Sequence, residues 1–198
     1  MTTPPPLRLL VLCASTRTGS LNRRLAQATA DRLAAAGAEA HLADLDDYPV
    51  PLYRGDLEAT EGVPDGARRL AADLARHDGV VIVSPEYNYS MPGALKNLLD
   101  WVSRIKPWPT KGVDGLLMSA STGAVGGHRG LIALRVPLEG NGMRLHPTMF
   151  TLAEAGDAFD ADGRLADPAQ RDRLGLLLKD FLTTVEAAVH YRERFGSP

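Results

Sequence analysis

The sequence predicts an α/β domain built on one doubly wound parallel sheet. Short apolar runs alternate with amphipathic stretches along 198 residues, which is enough chain for one domain with a substantial core. Five such strand–helix units are typical of a parallel sheet with right-handed crossovers. Hydrophobic residues make up 44% of the chain and charged residues 23%, which places it among ordinary globular proteins.

The strands are predicted from apolar runs. The clearest run is Gly-Val-Val-Ile-Val-Ser at 79–84, and the first, Leu7 to Leu12, is interrupted only by Arg8. Weaker patterns predict strands at 38–45, 113–120 and 144–151.

The helices are predicted from apolar residues at helical spacing. In the first, Leu25, Ala28 and Leu33 share one face and Gly37 is the stop signal. The five predicted helices cover 22–36, 65–76, 91–104, 127–139 and 167–194. The segment 47–64 is rich in proline and glycine and is predicted to be a loop, while residues 1–6 are predicted to be a disordered lead. Residues 7–194 are then a single domain.

Charge and cysteine content exclude several classes of protein. A net charge of -2 does not favour nucleic acid as a partner. No apolar stretch reaches the roughly 18 residues that cross a bilayer, and the N-terminus lacks the features of a signal peptide. Cys13 is the one cysteine and lies in an apolar run, so we expect a buried thiol, no intramolecular disulfide and a cytoplasmic location.

We expect no metal site. None of the five histidines has another histidine three or four residues away. The acidic stretch 157–163 lacks the spacing and the twelfth-position glutamate of a calcium loop, so it is predicted to be a surface turn.

The loop after the first predicted strand is the first candidate for chemistry. Ser-Thr-Arg-Thr-Gly-Ser-Leu-Asn at 15–22 leads directly into a helix, whose free N–H groups and dipole favour an anion. Hydroxyl groups can donate to phosphate oxygens, and Arg17 adds a charge-assisted contact. The alternative is an ordinary N-cap at Ser20. Neither the dinucleotide fingerprint nor the P-loop motif is present, so a terminal monophosphate is favoured over a pyrophosphate.

Two more loops follow strands three and four. The segment 84–93 places an aromatic residue and an amide on a turn, which suits a flat heteroaromatic ring, although a plain proline turn is the alternative. The segment 119–127 contains Gly123, Gly126 and Gly127, which would allow close approach of backbone to a ligand or serve as ordinary loop glycines. All three loops leave the same edge of one sheet, where this fold class binds ligands.

These segments resemble the NAD(P)H-dependent FMN reductase family, a flavodoxin-like group that includes quinone, azo-dye and chromate reductases. The resemblance extends over roughly residues 7 to 189, and its most specific part is Pro-Glu-Tyr-Asn at 85–88 followed by Gly-Ala-Leu-Lys-Asn at 93–97. It implies a flavodoxin-like, five-stranded sheet in the order 2-1-3-4-5 with helices on both faces. One departure from the family pattern is Ala14, where the family commonly has glycine. Another is the stretch 89–91, which is variable and lines the substrate face.

The resemblance also implies the site. The FMN phosphate would be held by Ser15, Arg17, Ser20 and Asn22. The isoalloxazine would be bordered on one side by Pro85, Glu86, Tyr87 and Asn88, and on the other by Ser121, Thr122 and Gly123. Because the flavin carries the chemistry, no catalytic side chain is assigned. Glu86 is interpreted as a structural turn carboxylate.

The implied reaction passes hydride from NADPH or NADH to FMN and then reduces a small acceptor: a quinone, an azo compound, free flavin or a metal oxyanion. One alternative is a flavodoxin-type electron carrier, although such carriers tend to be strongly acidic. Another is a nucleotide-processing hydrolase with Glu86 as nucleophile. Trp108, in a Pro-Trp-Pro turn, is predicted to be exposed, which together with the resemblance implies a homodimer or homotetramer.

Overall fold

The computed structural model describes residues 5–196, and its centre is a parallel β-sheet. The first five strands follow the order β2-β1-β3-β4-β5, and β6 pairs with β4 beyond the end of β5. The strands are β1 Arg8–Cys13, β2 Glu39–Asp44, β3 Gly79–Val83, β4 Asp114–Ala120, β5 Arg144–Leu145 and β6 Phe150–Leu152. The predicted doubly wound sheet and its strand order are therefore confirmed.

Within the described residues, six α-helices connect and cover the strands. They are α1 Leu21–Ala35, α2 Gly55–Glu61, α3 Asp65–Arg76, α4 Gly93–Val102, α5 His128–Gly140 and α6 Pro168–Phe195. The five predicted helices are all present, with ends that differ from the prediction by at most two residues. The predicted disordered lead falls mostly on residues 1–4, which lie outside the described residues, while Pro5 and Pro6 are exposed.

The apolar core lies on both faces of the sheet. In β1, Leu9 and Val11 pack toward α1 and α6, whereas Leu10 and Leu12 pack toward α3, α4 and α5. The side chains of a strand point alternately to opposite faces, so a strand covered on both sides must be apolar at every position. This double burial explains the uninterrupted apolar run in β3, where all five residues are buried.

The predicted fifth strand, 144–151, is wrong as a single strand. Residues 144–145 pair with 114–115 of β4, and 150–152 pair with 118–120. Between these two paired segments, residues 146–149 number four, whereas β4 has only the two residues 116–117. Pro147 lies in this excess segment and has no N–H group to donate to a ladder, so the pairing is interrupted there.

The segment 47–64 was predicted to be a loop throughout, but it contains the two-turn helix α2. No residue of α2 is buried, so no apolar stripe marks it in the sequence. Tertiary contacts hold the preceding chain against α4: Asn97 accepts from the Tyr53 N–H at 2.8 Å, and the Trp101 indole donates to the Pro51 carbonyl at 2.8 Å. The course of this segment depends on a helix about forty residues further along the chain.

Candidate active site

The β1–α1 loop presents hydroxyl groups at the start of a helix. The Ser20 side chain is the N-cap of α1 and accepts from the backbone N–H groups of Asn22 and Arg23 at 3.2 and 3.4 Å. Ser15 and Ser20 are 9% and 4% exposed, so their hydroxyl groups are held in place by the surrounding structure. Among residues 5–196, no acceptor lies against the backbone N–H groups of Ser15 and Arg17. These donors are available to an anion.

Asn22 joins α1 to the end of β4. Its amide nitrogen donates to the Ala120 carbonyl at 2.9 Å, and its amide oxygen accepts from the Ala120 N–H at 2.9 Å. Both the nitrogen and the oxygen of the amide are therefore used in this pair, and the Asn22 side chain is only 4% exposed. The sequence-based role of Asn22 as a phosphate ligand stays a prediction, and the structure shows a positioning role that the sequence did not reveal.

The β3–α4 loop forms a tight two-residue turn. Tyr87 and Ser90 exchange backbone hydrogen bonds at 2.9 and 3.0 Å. The two residues between them, Asn88 and Tyr89, both have positive φ, +49° and +65°. This conformation is uncommon for a bulky residue, and backbone strain of this kind is concentrated at functional sites. The turn leaves Tyr87 47% exposed at the edge of the sheet.

Glu86 is committed to the neighbouring helix. Its Oε2 accepts from the Gly130 N–H at 3.0 Å, in the first turn of α5, and its Oε1 lies 3.8 Å from Arg129 Nη1. The Glu86 side chain is only 13% exposed, which is lower than its turn position suggests. Arg129 also lies over the Tyr89 ring, with Cζ 4.8 Å from the ring centroid. Arg129 was not predicted from the sequence, because an arginine near a helix start carries no specific signal.

The glycines of the β4–α5 loop serve internal packing. A Cβ on Gly126 would lie 2.9 Å from the Ala153 backbone nitrogen, and one on Gly127 would lie 2.0 Å from Ser119 Oγ. Both residues have positive φ, which adds to the requirement for glycine. Gly123 has neither constraint. Two of the three glycines therefore bring loop backbone against the protein itself, which differs from the ligand approach considered from the sequence.

Three loops converge on a cavity of about 130 Å³ at the carboxyl edge of the sheet. Nine of the eleven residues singled out from the sequence line it, while Asn88 and Gly123 do not. The lining residues are Ser15, Arg17, Ser20, Leu21, Asn22, Pro85, Glu86, Tyr87, Ala120, Ser121 and Thr122. Leu21 and Ala120 were missed because apolar residues at the end of a helix or strand carry no chemical signature. The loops thus bring a cation, hydroxyl groups, a helix N-terminus and an exposed aromatic ring together.

Within residues 5–196, neither a cluster of metal-binding side chains nor a membrane-spanning helix accompanies this cavity. No group of three or more His, Cys, Asp or Glu that could hold a metal ion occurs among residues 5–196. In the same part of the chain, no helix combines the length and the apolar character needed to cross a bilayer. The acidic stretch 157–163 forms a turn in which Asp160 accepts from the backbone N–H groups of Asp162 and Arg164.

The sequence model of the NADPH-dependent FMN reductase family matches residues 7–157, about three quarters of the chain. The chain belongs to this family. The match begins in β1 and includes all three loops around the cavity. It ends before α6, which the structure places against the sheet face that α1 covers.

Several relatives carry reductase names. A quinone reductase of Escherichia coli strain K12 is 42% identical over 124 residues, which are 62% of this chain and 64% of that protein. The match thus covers less than two thirds of that relative. An NAD(P)H-dependent FMN reductase of Pseudomonas aeruginosa is 35% identical over 169 residues, covering 84% of this chain and 88% of the relative. An NAD(P)H:quinone oxidoreductase of Solanum tuberosum is 33% identical over 186 residues, with coverage of 90% and 92%.

Solved structures agree on the fold. The flavoenzyme NAD(P)H:(acceptor) oxidoreductase FerB from Paracoccus denitrificans superimposes with a TM-score of 0.77 at 25% identity, covering 92% of this chain and 98% of FerB. A flavodoxin from Bacillus cereus superimposes with a TM-score of 0.56 at 13% identity, covering 89% and 97% of the two chains. This second likeness establishes the flavodoxin-like fold alone.

Proposed function

We propose that this protein takes hydride from NADPH or NADH onto bound FMN and then reduces a small acceptor such as a quinone. The observation that carries the proposal is the convergence of three loops on one cavity that combines phosphate donors with an aromatic border. Family membership names the cofactor and the reductant. The names of the relatives favour quinones as the acceptor class.

The β1–α1 loop fits the phosphate end of FMN. Ser15 and Ser20 offer hydroxyl donors, Arg17 offers a guanidinium group, and the start of α1 adds backbone N–H groups. In this proposal Asn22 acts mainly through Ala120, because its amide is already paired. It fixes the start of α1 relative to β4, and thereby the distance between the phosphate end and the ring end of the cavity.

The other two loops fit the ring end. Pro85 and Tyr87 border one side, with Glu86 holding their turn against α5, and Ser121 and Thr122 border the other side. Asn88 and Gly123 follow these residues in the two loops, outside the cavity lining, and we propose that they contact the part of the ring that extends beyond the cavity. FMN, when bound, supplies the capacity to accept a hydride and to pass electrons on. The side chains bind and orient the reactants, and we assign none of them a proton-transfer role.

The contacts of Glu86 argue against a hydrolase. A carboxylate nucleophile must be free to attack its substrate, whereas Glu86 accepts from a helix N–H and lies beside Arg129. Among the relatives, reductase names favour an enzyme over a flavodoxin-type carrier. We further propose that residues 7–194 form one FMN-binding domain and that the protein is cytoplasmic, consistent with its single buried thiol.

Arg17→Gln tests the phosphate assignment. We expect the affinity for FMN to fall by about tenfold to a hundredfold, because a charge-assisted contact is lost. The affinity for riboflavin, which lacks the phosphate, should not change. Arg54→Gln is the matched control, since Arg54 is an exposed arginine outside the cavity. Fluorescence titration measures the affinities for FMN and riboflavin in the wild type and in both variants. Equal loss for FMN and riboflavin, or no loss for FMN, would contradict the assignment.

Anaerobic titration separates the enzyme from the carrier. The FMN-loaded protein should lose its flavin absorbance at ~450 nm when NADPH or NADH is added. It should regain this absorbance when a quinone follows. An electron carrier would keep its absorbance in the presence of either nucleotide. The two titrations, compared at equal concentration, also determine which nucleotide the protein prefers.

We also propose that the protein is a homodimer or homotetramer. Trp108 is 40% exposed, as predicted, and α5 exposes Ile132 and Val136 at 47% and 72%. Exposed apolar side chains such as Ile132 and Val136, which lie one turn apart on α5, are typical of subunit interfaces. Sedimentation equilibrium should give a mass of two or four chains, and a monomer mass across the micromolar range would refute this proposal.

A further inference from the structure

A second cavity lies between α1, α6 and the turn that precedes α6. Its volume is about 150 Å³, and it shares no lining residue with the active-site cavity. Its residues on α1 are Ala28, Asp31 and Arg32. On α1, the nearest lining residues of the two cavities are Asn22 and Ala28, six positions apart, which corresponds to about 9 Å along the helix. Occupation of one cavity therefore does not obstruct the other.

The rim of this second cavity carries an excess of positive charge. Arg32, Arg164 and Arg171 line it together with one carboxylate, Asp31. Arg164 is paired with carboxylates of its own turn. Within residues 5–196, neither Arg32 nor Arg171 has a carboxylate within salt-bridge distance; Arg32 Nη2 donates to the Arg171 carbonyl at 2.8 Å. Carbonyl groups orient a guanidinium but do not neutralise its charge, so the rim favours an anion.

A glycine in the neighbouring helix makes room for one of these cations. Gly175 lies within α6, where glycine weakens a helix relative to alanine. A Cβ at this position would be 2.7 Å from Arg32 Nη2. The glycine therefore allows the Arg32 guanidinium to lie against the backbone of α6. This contact fixes the group at the cavity rim, so that less side-chain freedom is lost when a ligand binds.

The floor of the cavity is apolar. Ala28, Leu165 and Leu174 supply this floor, and only small parts of them are accessible, with exposures of 8%, 2% and 1%. The cavity volume of about 150 Å³ is enough for one benzene ring. A planar carboxylate matches the fork of a guanidinium group, whereas an inorganic anion would leave the floor unused.

From this combination we infer that the second cavity binds a small single-ring aromatic carboxylate. The ring lies against Ala28, Leu165 and Leu174, and the carboxylate faces Arg32 and Arg171. This site is separate from the acceptor site beside the flavin, and it binds its ligand whichever acceptor the enzyme reduces.

Benzoate is the probe. We expect it to shift the methyl NMR signals of Leu165 and Leu174 in a saturable manner in the protein as purified. Benzamide, the neutral isostere, and inorganic phosphate, which has no ring, should each bind at least about tenfold more weakly. Absence of saturable shifts, or equal binding of either comparison compound, would overturn the inference.

Four variants assign the binding to this cavity. Arg32→Gln and Arg171→Gln should each weaken benzoate binding about tenfold, through loss of a charge-assisted contact. Asp31→Asn should strengthen it several-fold by removing the one carboxylate at the rim, a gain that misfolding cannot produce. Arg68→Gln is the matched control, because Arg68 is an exposed arginine that donates to a backbone carbonyl elsewhere. Unchanged affinity in the first three variants would exclude the cavity as the binding site.

Discussion

At the scale of single residues, burial separates inert polar groups from available ones. Ser119, at the end of β4, is fully buried, and its Oγ has no hydrogen-bond partner among residues 5–196. Gly127 passes so close to this hydroxyl group that a Cβ could not be accommodated. Ser15 and Ser20 have similar chemistry in the sequence but line the cavity. The sequence alone does not distinguish a hydroxyl enclosed by packing from one that faces a ligand.

Cys13 is the clearest case of an inert group. It is the last residue of β1 and is fully buried, and this burial raises the pKa of its thiol to about 11. Because an unfolded chain releases this proton near pH 9, the folded state binds more protons between pH 9 and 11. The stabilisation is therefore complete below pH 9 and is lost as the pH rises toward 11.

The pH dependence of Cys13→Ala tests this linkage. Between pH 8 and 10.5, the wild-type free energy of unfolding should fall by about 1–2 kcal/mol more than that of the variant, because only the wild type has the thiol. Urea titrations at the two pH values measure the difference. Tyr48, whose pKa is also raised by burial, is present in both proteins and cancels. Parallel pH profiles would show that the thiol does not contribute.

At the scale of secondary-structure elements, side chains from one element fix the position of another. Glu86, after β3, caps α5, and Asn22, in α1, pairs with the backbone at the end of β4. Each pair links two of the loops that surround the cavity. The geometry of the cavity therefore depends on hydrogen bonds between elements more than on the conformation of any one loop.

Asn22→Ala should weaken both the fold and the cofactor site. Loss of the two buried hydrogen bonds to Ala120 leaves its N–H and carbonyl unpaired, so the free energy of unfolding should fall by about 2–3 kcal/mol. FMN affinity should fall as well, because α1 is no longer tied to β4. Chemical denaturation of the apoprotein and fluorescence titration measure the two effects.

Gln27→Ala is the control for this variant, since Gln27 is an exposed polar residue on the same helix. We expect it to change stability by less than about 0.5 kcal/mol. If Asn22→Ala were no more destabilising than Gln27→Ala, the hydrogen bonds between α1 and β4 would not contribute to the free energy of unfolding.

At the scale of the whole molecule, the cofactor should act as a structural component. Three loops that are distant in sequence meet around the cavity, so a ligand bound there holds the ends of β1, β3 and β4 together. A ligand that binds only the folded state stabilises it by about 2.7 kcal/mol when present at a hundred times its Kd. For a chain of about 200 residues, this corresponds to a rise in Tm of roughly 5–10 °C.

Thermal unfolding with and without excess FMN checks this expectation. Arg17→Gln, measured at the same FMN concentration, should show a smaller rise because its affinity is lower. Riboflavin should produce equal rises in both proteins. An FMN-independent Tm for the wild type would show that the folded protein does not bind FMN.

The residue pattern was enough to predict the fold class and, through the family resemblance, the strand order and nine of the eleven residues that line the cavity. These features depend on local periodicity and on short motifs that follow particular strands. It did not reveal α2, whose helical course has no buried face, or the division of the last predicted strand around Pro147.

Which polar groups are free to bind a ligand depends on contacts that form only in the folded chain. Asn22 and Glu86 belong to the predicted site, yet each is paired with a residue far along the chain: Ala120 for Asn22 and Gly130 for Glu86. The second cavity likewise combines residues of α1 with residues near the start of α6. A hydrogen-bonding group has the same chemistry whether it is paired or not, and its partner is brought to it only when the chain folds.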